Sequence, residues 1–209
     1  MTVFADRRTA GIRLAERLAA RRLPEPQIVL GLPRGGVPVA AEVARRLGAP
    51  LDVIVVRKVG MPGQEEFAIG AIAFGGIVVR EPGVEHYLDG LPVSFETLVV
   101  RQQQELERRE RAYRSGRPPA ELAGRTAVLV DDGLATGTTM LAAVRAARQG
   151  GAARIIAAAP VGTSEARERV EREADEVILL AEPPGFMAVG QFYLRFEQVA
   201  DEEVIRLLE

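Results

Sequence analysis

Five short apolar runs alternate with helix-like segments along this chain, and that alternation limits the fold more than any other feature. The runs are residues 27–31 (QIVLG), 51–56 (LDVIVV), 127–130 (AVLV), 154–159 (RIIAAA) and 176–180 (EVILL). Near-continuous apolar character is expected of strands buried on both faces. Segments 37–47 and 139–149 read as helices stopped by Gly48 and by Gly150 with Gly151, and 164–172 as a third. Residues 27–56 then form one βαβ unit. Strands alternating with helices argue for an α/β fold with a parallel sheet.

The remaining segments are less regular. Residues 7–22 place Ile12, Ala15, Leu18 and Ala19 on one stripe of an amphipathic helix that Pro24 and Pro26 end. Residues 61–76 mix Pro, Gly and acids with FAIGAIAF, which suggests a mobile loop and then a short strand, with 77–80 as its hairpin partner. Residues 94–114 form a long, charged helix whose polar face reads as solvated. Beyond Pro183 and Pro184 the tail gathers Phe186, Phe192, Tyr193 and Phe196, of which the last three read as core or interface more readily than as a stacking platform. With 209 residues, one domain is expected.

Composition excludes several chemistries. There is no cysteine and one histidine, His86, which has no ligand-like neighbour in sequence. A thiolate nucleophile and a multi-histidine metal site are thereby ruled out, and any metal should be bound by oxygen. A net charge of −2 and 5% aromatic residues argue against nucleic acid as a partner. No apolar run approaches the roughly 20 residues of a membrane span, and the start lacks a signal-peptide core, so the expectation is a cytoplasmic protein without a membrane partner. A homo-oligomer stays open.

Chemistry concentrates at residues 128–140, VLVDDGLATGTTM. An apolar strand runs into Asp131 and Asp132, and a turn of small and hydroxyl residues leads into a helix. Ligands of open α/β sheets bind outside the carboxyl ends of strands. The unpaired N–H groups of residues 136–139 would sit at a helix start, where they and the helix dipole favour a phosphate. Gly137 allows close backbone approach, while Thr136, Thr138 and Thr139 offer hydroxyls. The carboxylates suit the paired hydroxyls of a sugar and, indirectly, hydrated Mg²⁺. A P-loop would need a lysine here, a dinucleotide fingerprint three spaced glycines, and a phospho-acceptor receiver a lysine on a later strand; none is present. Plain use of one aspartate as a helix cap is the bland alternative.

Residues 128–140 resemble the phosphoribosyl-diphosphate (PRPP) binding motif of type I phosphoribosyltransferases. The resemblance implies that Asp131 and Asp132 bind the ribose hydroxyls and that Ala135, Thr136, Gly137, Thr138 and Thr139 cradle the 5′-phosphate, with Mg²⁺ as cofactor. GLPRGG, residues 31–36, is similar to the family's pyrophosphate loop, often built on a non-proline cis peptide, and puts Arg34, Gly35 and Gly36 at the diphosphate. RKVGMP, residues 57–62, resembles the strand ending of adenine-type members, where the lysine meets diphosphate; Arg57 and Lys58 stand there, and Lys58 is the one lysine among 27 Lys and Arg residues. The implied architecture is a Rossmann-like core at about 7–180, a flexible loop, and a small C-terminal hood at about 181–209 over the acceptor. The implied reaction transfers ribose 5-phosphate from PRPP to a nitrogen nucleophile, a nucleobase by preference, with release of pyrophosphate. The alternative on the same fold is a regulator that senses PRPP or nucleotides without turning them over. Ala135 stands where 6-oxopurine members carry an aspartate, which places the chain nearer the adenine type.

Overall fold

The computed structural model describes residues 3–89 and 91–209. In chain order it contains α1 (Arg7–Ala19), β1 (Gln27–Gly31), α2 (Gly36–Leu47), β2 (Leu51–Val53), β3 (Val56–Met61), β4 (Gln64–Ala73), β5 (Ile77–Arg80) and α3 (Val84–Leu88). There follow α4 (Phe95–Arg114), β6 (Thr126–Val130), α5 (Thr138–Gln149), β7 (Arg154–Val161), α6 (Ser164–Glu171), β8 (Glu176–Ala181), a 3₁₀ turn (Val189–Phe192) and α7 (Asp201–Leu208).

Five strands form a parallel sheet in the order β2-β1-β6-β7-β8. The central strands β1 and β6 are buried along their whole length, which is why their sequences carry no alternation. Helices α1 and α2 cover one face, where Leu14, Leu18, Val39 and Val43 meet Val29, Val128 and Ile156. On the other face α5 and α6 pack with Leu30, Leu129 and Ile155, together with Ala71, Ala73 and Val79 of the smaller sheet. Because β1 and β6 are neighbours in register from Gln27↔Thr126 to Gly31↔Val130, the loops that follow them open at the same edge. That adjacency creates the site.

Two expectations are corrected. The run 51–56 is not one strand: β2 ends at Val53, and β3 begins at Val56 in a separate antiparallel sheet ordered β3-β4-β5. Val53, Ile54, Val55 and Val56 are all buried, so the apolar pattern passes unbroken through the switch between sheets. The segment expected as a mobile loop and a short strand is a ten-residue strand, β4, joined to β3 by a turn at Pro62 and Gly63. Its Pro and Gly mark that turn and an irregular register around Gly60.

The charged helix α4 is also less solvated than expected. Ser94 caps it by accepting from Thr97 N. Near its end Arg114 is buried, donating to Glu110 at 2.9 Å, to Asp52 at 2.5 Å and to the Val53 carbonyl at 3.0 Å, which ties the helix to the edge of the parallel sheet. The tail divides in two. Phe192 and Tyr193 are buried against Phe4, while α7 packs on α4 through Val204 and Leu208. No helix among the described residues is long and apolar enough to cross a membrane.

Candidate active site

Strand β6 delivers Asp131 and Asp132 to the open edge of the sheet. Asp131 accepts a hydrogen bond from the Asp132 N–H at 2.8 Å. Asp132 accepts from Arg7 Nε, also at 2.8 Å, and both side chains are largely shielded from water, at 14% and 12% exposure. Arg7 stands in the first turn of α1, lies over the Phe196 ring at 3.8 Å, and donates to the Glu197 carbonyl. The Tyr193 hydroxyl donates to the Asp132 carbonyl at 2.7 Å. The two ends of the chain thus hold one acid from behind. Across the cleft a Cβ added to Gly35 would lie 2.0 Å from Asp132 Oδ2, so the backbone there can approach the carboxylate only as glycine.

Burial raises the proton affinity of both acids, and repulsion from Asp132 raises that of Asp131 further. Arg7 and Lys58 oppose the shift by favouring the ionised forms. The pair therefore resists full ionisation, and an added cation would relieve it.

The turn after the acids leads into α5 through Gly137, whose φ of 75° few other residues adopt and whose added Cβ would meet the Ala166 carbonyl at 3.1 Å. Thr163 Oγ1 donates to the Ala135 carbonyl at 2.9 Å. The helix starts at Thr138, one residue before the sequence-predicted start. The expectation of three phosphate-facing hydroxyls is corrected at Thr138, which is 1% exposed and donates to the Glu81 carboxylate. Arg169 closes this cluster, donating to Glu81 at 2.8 Å and to the Thr136 carbonyl at 3.3 Å. Thr136 and Thr139 line the cleft.

The loop after β1 carries a cis Pro33–Arg34 peptide. Pro33 and Gly35 line the cleft, whereas the Arg34 guanidinium lies 3.7 Å from Asp201 of α7. Gly36 packs tightly, since an added Cβ would be 2.5 Å from the Val130 carbonyl. Arg57 and Lys58 project from within β3 rather than closing the parallel strand before it. Arg57 donates to Gln102 of α4 at 2.9 Å. Lys58 is exposed and has no hydrogen-bond or ion-pair partner among the described residues. One cleft of about 740 Å³ collects Gly35, Arg57, Lys58, Asp131 and Asp132 with the turn Ala135, Thr136, Gly137 and Thr139.

A model of the phosphoribosyl transferase domain matches residues 7–195. The chain belongs to this family. Among solved structures it is similar to TT1426 from Thermus thermophilus, 49% identical, with a TM-score of 0.80 over 99% of this chain and 97% of that one. Two Mycobacterium tuberculosis proteins, from strains CDC 1551 / Oshkosh and H37Rv, are 47% identical over all of this chain; each bears the name "Putative phosphoribosyl transferase". The chain spans 47%, about half, of their length.

Within this phosphoribosyl transferase domain, sequence reading missed Arg7, Glu81, Gln102 and Arg169, and it read Tyr193 as core or interface without its hydrogen bond to the Asp132 carbonyl. The arginines stand in a chain crowded with that residue, and their partners are far away in sequence: Arg7 reaches Asp132 across 125 positions and the Glu197 carbonyl across 190. The tail expected as a hood does reach the turn after the acids: a Cβ added to Gly133 would lie 2.5 Å from Val189 Cγ1.

Proposed function

We propose that this protein transfers ribose 5-phosphate from PRPP to a nitrogen nucleophile, preferably a nucleobase, and releases pyrophosphate. The observation that carries the reading is the meeting, in one cleft, of an acid pair, a helix-start turn and a lysine with no hydrogen-bond or ion-pair partner among the described residues. The cleft volume, about 740 Å³, lies in the range of roughly 300–1,000 Å³ usual for small-molecule sites.

Asp131 and Asp132 accept hydrogen bonds from the two ribose hydroxyls and favour positive charge developing at the ribosyl carbon. Arg7 favours the ionised form of Asp132 against its burial and orients it for that task. The N–H groups of the first turn of α5, with Thr136 and Thr139, hold the 5′-phosphate. Lys58 and the Gly35 backbone meet the diphosphate, and Arg57 borders the same space. The ribosyl C1–O bond breaks with its electron pair leaving on the diphosphate, while the acceptor nitrogen gives its lone pair to C1. Its proton passes to solvent. No covalent nucleophile from the protein is needed; orientation and electrostatic stabilisation suffice.

The donor set fits Mg²⁺. It is oxygen-only, and its two adjacent carboxylates resist ionisation together, so a hydrated divalent ion nearby would favour their charged forms. Asp131 and Asp132 would hold that hydrated ion together with substrate oxygens, and the ion would neutralise charge on the diphosphate. The cytoplasm, where PRPP is supplied, is the location this reading implies.

Ala135 offers the base neither a hydrogen bond nor proton transfer, so adenine is favoured over hypoxanthine and guanine. Steady-state pyrophosphate release with adenine, hypoxanthine, guanine, uracil and orotate tests this. Turnover of adenine above the 6-oxopurines supports it. Efficient turnover of hypoxanthine or guanine refutes the Ala135 argument, and no release with any base favours the sensing alternative.

A further inference from the structure

Helix α4 has no part in any motif, yet it forms one wall of the cleft with Leu98, Arg101, Gln102 and Arg109. These positions are spaced by three, one and seven residues, which places them on one face. Gln102 accepts from both Arg57 Nε and Nη2, at 3.3 and 2.9 Å, and so fastens this face to β3. Arg101, beside Gln102, is exposed and has no hydrogen-bond or ion-pair partner among the described residues. Arg109 donates to Glu105 at 2.8 Å, but Glu105 also serves Arg108 at 2.7 Å. One carboxylate answers two guanidiniums. Arg57 feels the excess: burial and the nearby Arg109 both make its guanidinium a weaker base.

The same end of the cleft adjoins the loop after β1. Tyr113, one turn beyond Arg109, donates to Asp201 at 2.7 Å, and Arg34 lies 3.7 Å from that carboxylate. Arg57, Lys58, Arg101 and Arg109 therefore line a space bordered by Gly35. Four cations lining one cleft favour a polyanion. Guanidiniums suit phosphate oxygens because their donors form a flat fork that can pair with two oxygens at once.

We propose that Arg101 and Arg109 bind the diphosphate of PRPP and stabilise the charge that collects on it as it leaves. The inference rests on the phosphoribosyl-transfer reading and extends it, since it gives the leaving group two contacts from a helix outside the recognised motifs. Both guanidiniums stay protonated throughout. They donate hydrogen bonds to diphosphate oxygens, while the electron pair of the broken C1–O bond departs with the diphosphate and the acceptor nitrogen bonds to C1.

The test is calorimetric titration of the full chain, as parent, Arg101→Gln and Arg109→Gln, with Mg²⁺-pyrophosphate, Mg²⁺-PRPP and ribose 5-phosphate. Arg101 is exposed and unpaired among the described residues, so its variant should fold as the parent does, whatever Arg109 contributes through Glu105. Each variant should bind pyrophosphate and PRPP about tenfold more weakly, the loss expected of one charge-assisted contact, and ribose 5-phosphate within about twofold of the parent. Parent-like affinity for pyrophosphate in both variants overturns the inference. So does an equal loss for ribose 5-phosphate. If the parent itself binds neither pyrophosphate nor PRPP, the phosphoribosyl-transfer reading fails, and the inference fails with it.

Discussion

Replacing Asp131 with Asn should make the protein more stable and less able to bind PRPP. Asp131 sits at the buried end of β6 beside a second carboxylate, and both burial and that neighbour raise its proton affinity above the ordinary value. A raised folded-state pKa contributes stability below the unfolded value near 4, and that contribution is lost as pH rises through the folded-state value. Each unit of upward shift corresponds to about 1.4 kcal/mol once the group is ionised. Asparagine keeps an oxygen for the Asp132 N–H, which Asp131 accepts at 2.8 Å, while removing the charge. Even a single unit recovered would raise the melting temperature by roughly 3–5 °C in a domain of about 200 residues. Thermal melts from pH 4 to pH 9 should show parent and variant together at the acid end and the variant increasingly higher toward pH 9. Binding of PRPP with Mg²⁺ should fall about 10- to 150-fold, the effect of about 1.5–3 kcal/mol from a charged hydrogen bond. A variant that melts below the parent at pH 9 would show that the Asp131 charge anchors the fold, and the reasoning would be wrong.

Arg7→Gln should act in the opposite sense. Loss of the 2.8 Å pair leaves Asp132 shielded and uncompensated, so stability should drop by about 1.5–3 kcal/mol and PRPP affinity should need a higher pH to develop, as calorimetry across pH would show. Lys58→Arg should impair transfer from PRPP although charge is retained, because a planar fork replaces a compact ammonium; binding of a nucleoside monophosphate, which lacks diphosphate, should change little. Arg114→Gln should cost about 3–5 kcal/mol by chemical denaturation, since Glu110 and Asp52 both lose a buried partner.

The parallel sheet was legible because its central strands are buried on both faces and leave continuous apolar runs such as 127–130. The acid pair and turn were legible because strand, acids, glycine and threonines are contiguous in sequence. What sequence reading could not locate were long-range pairings and changes of sheet. Burial continues through 53–56, so nothing in hydrophobicity marks where β2 gives way to β3. Arg7 reaches Asp132 across 125 positions, and Thr138 turns its hydroxyl to Glu81 across 57. The face of α4 illustrates the same limit: Arg101 and Arg109 border the cleft while Arg114 is buried, yet all three look alike as arginines on an amphipathic helix.

The most direct measurement is a calorimetric titration of the protein with PRPP in the presence of Mg²⁺, repeated with Asp132→Asn. The expected result is saturable binding at one site per chain, weakened about 10- to 150-fold in the variant through loss of a charged hydrogen-bonding partner. A folded variant that binds PRPP as tightly as the parent, or a parent that does not bind PRPP, would contradict the assignment of this cleft to phosphoribosyl transfer.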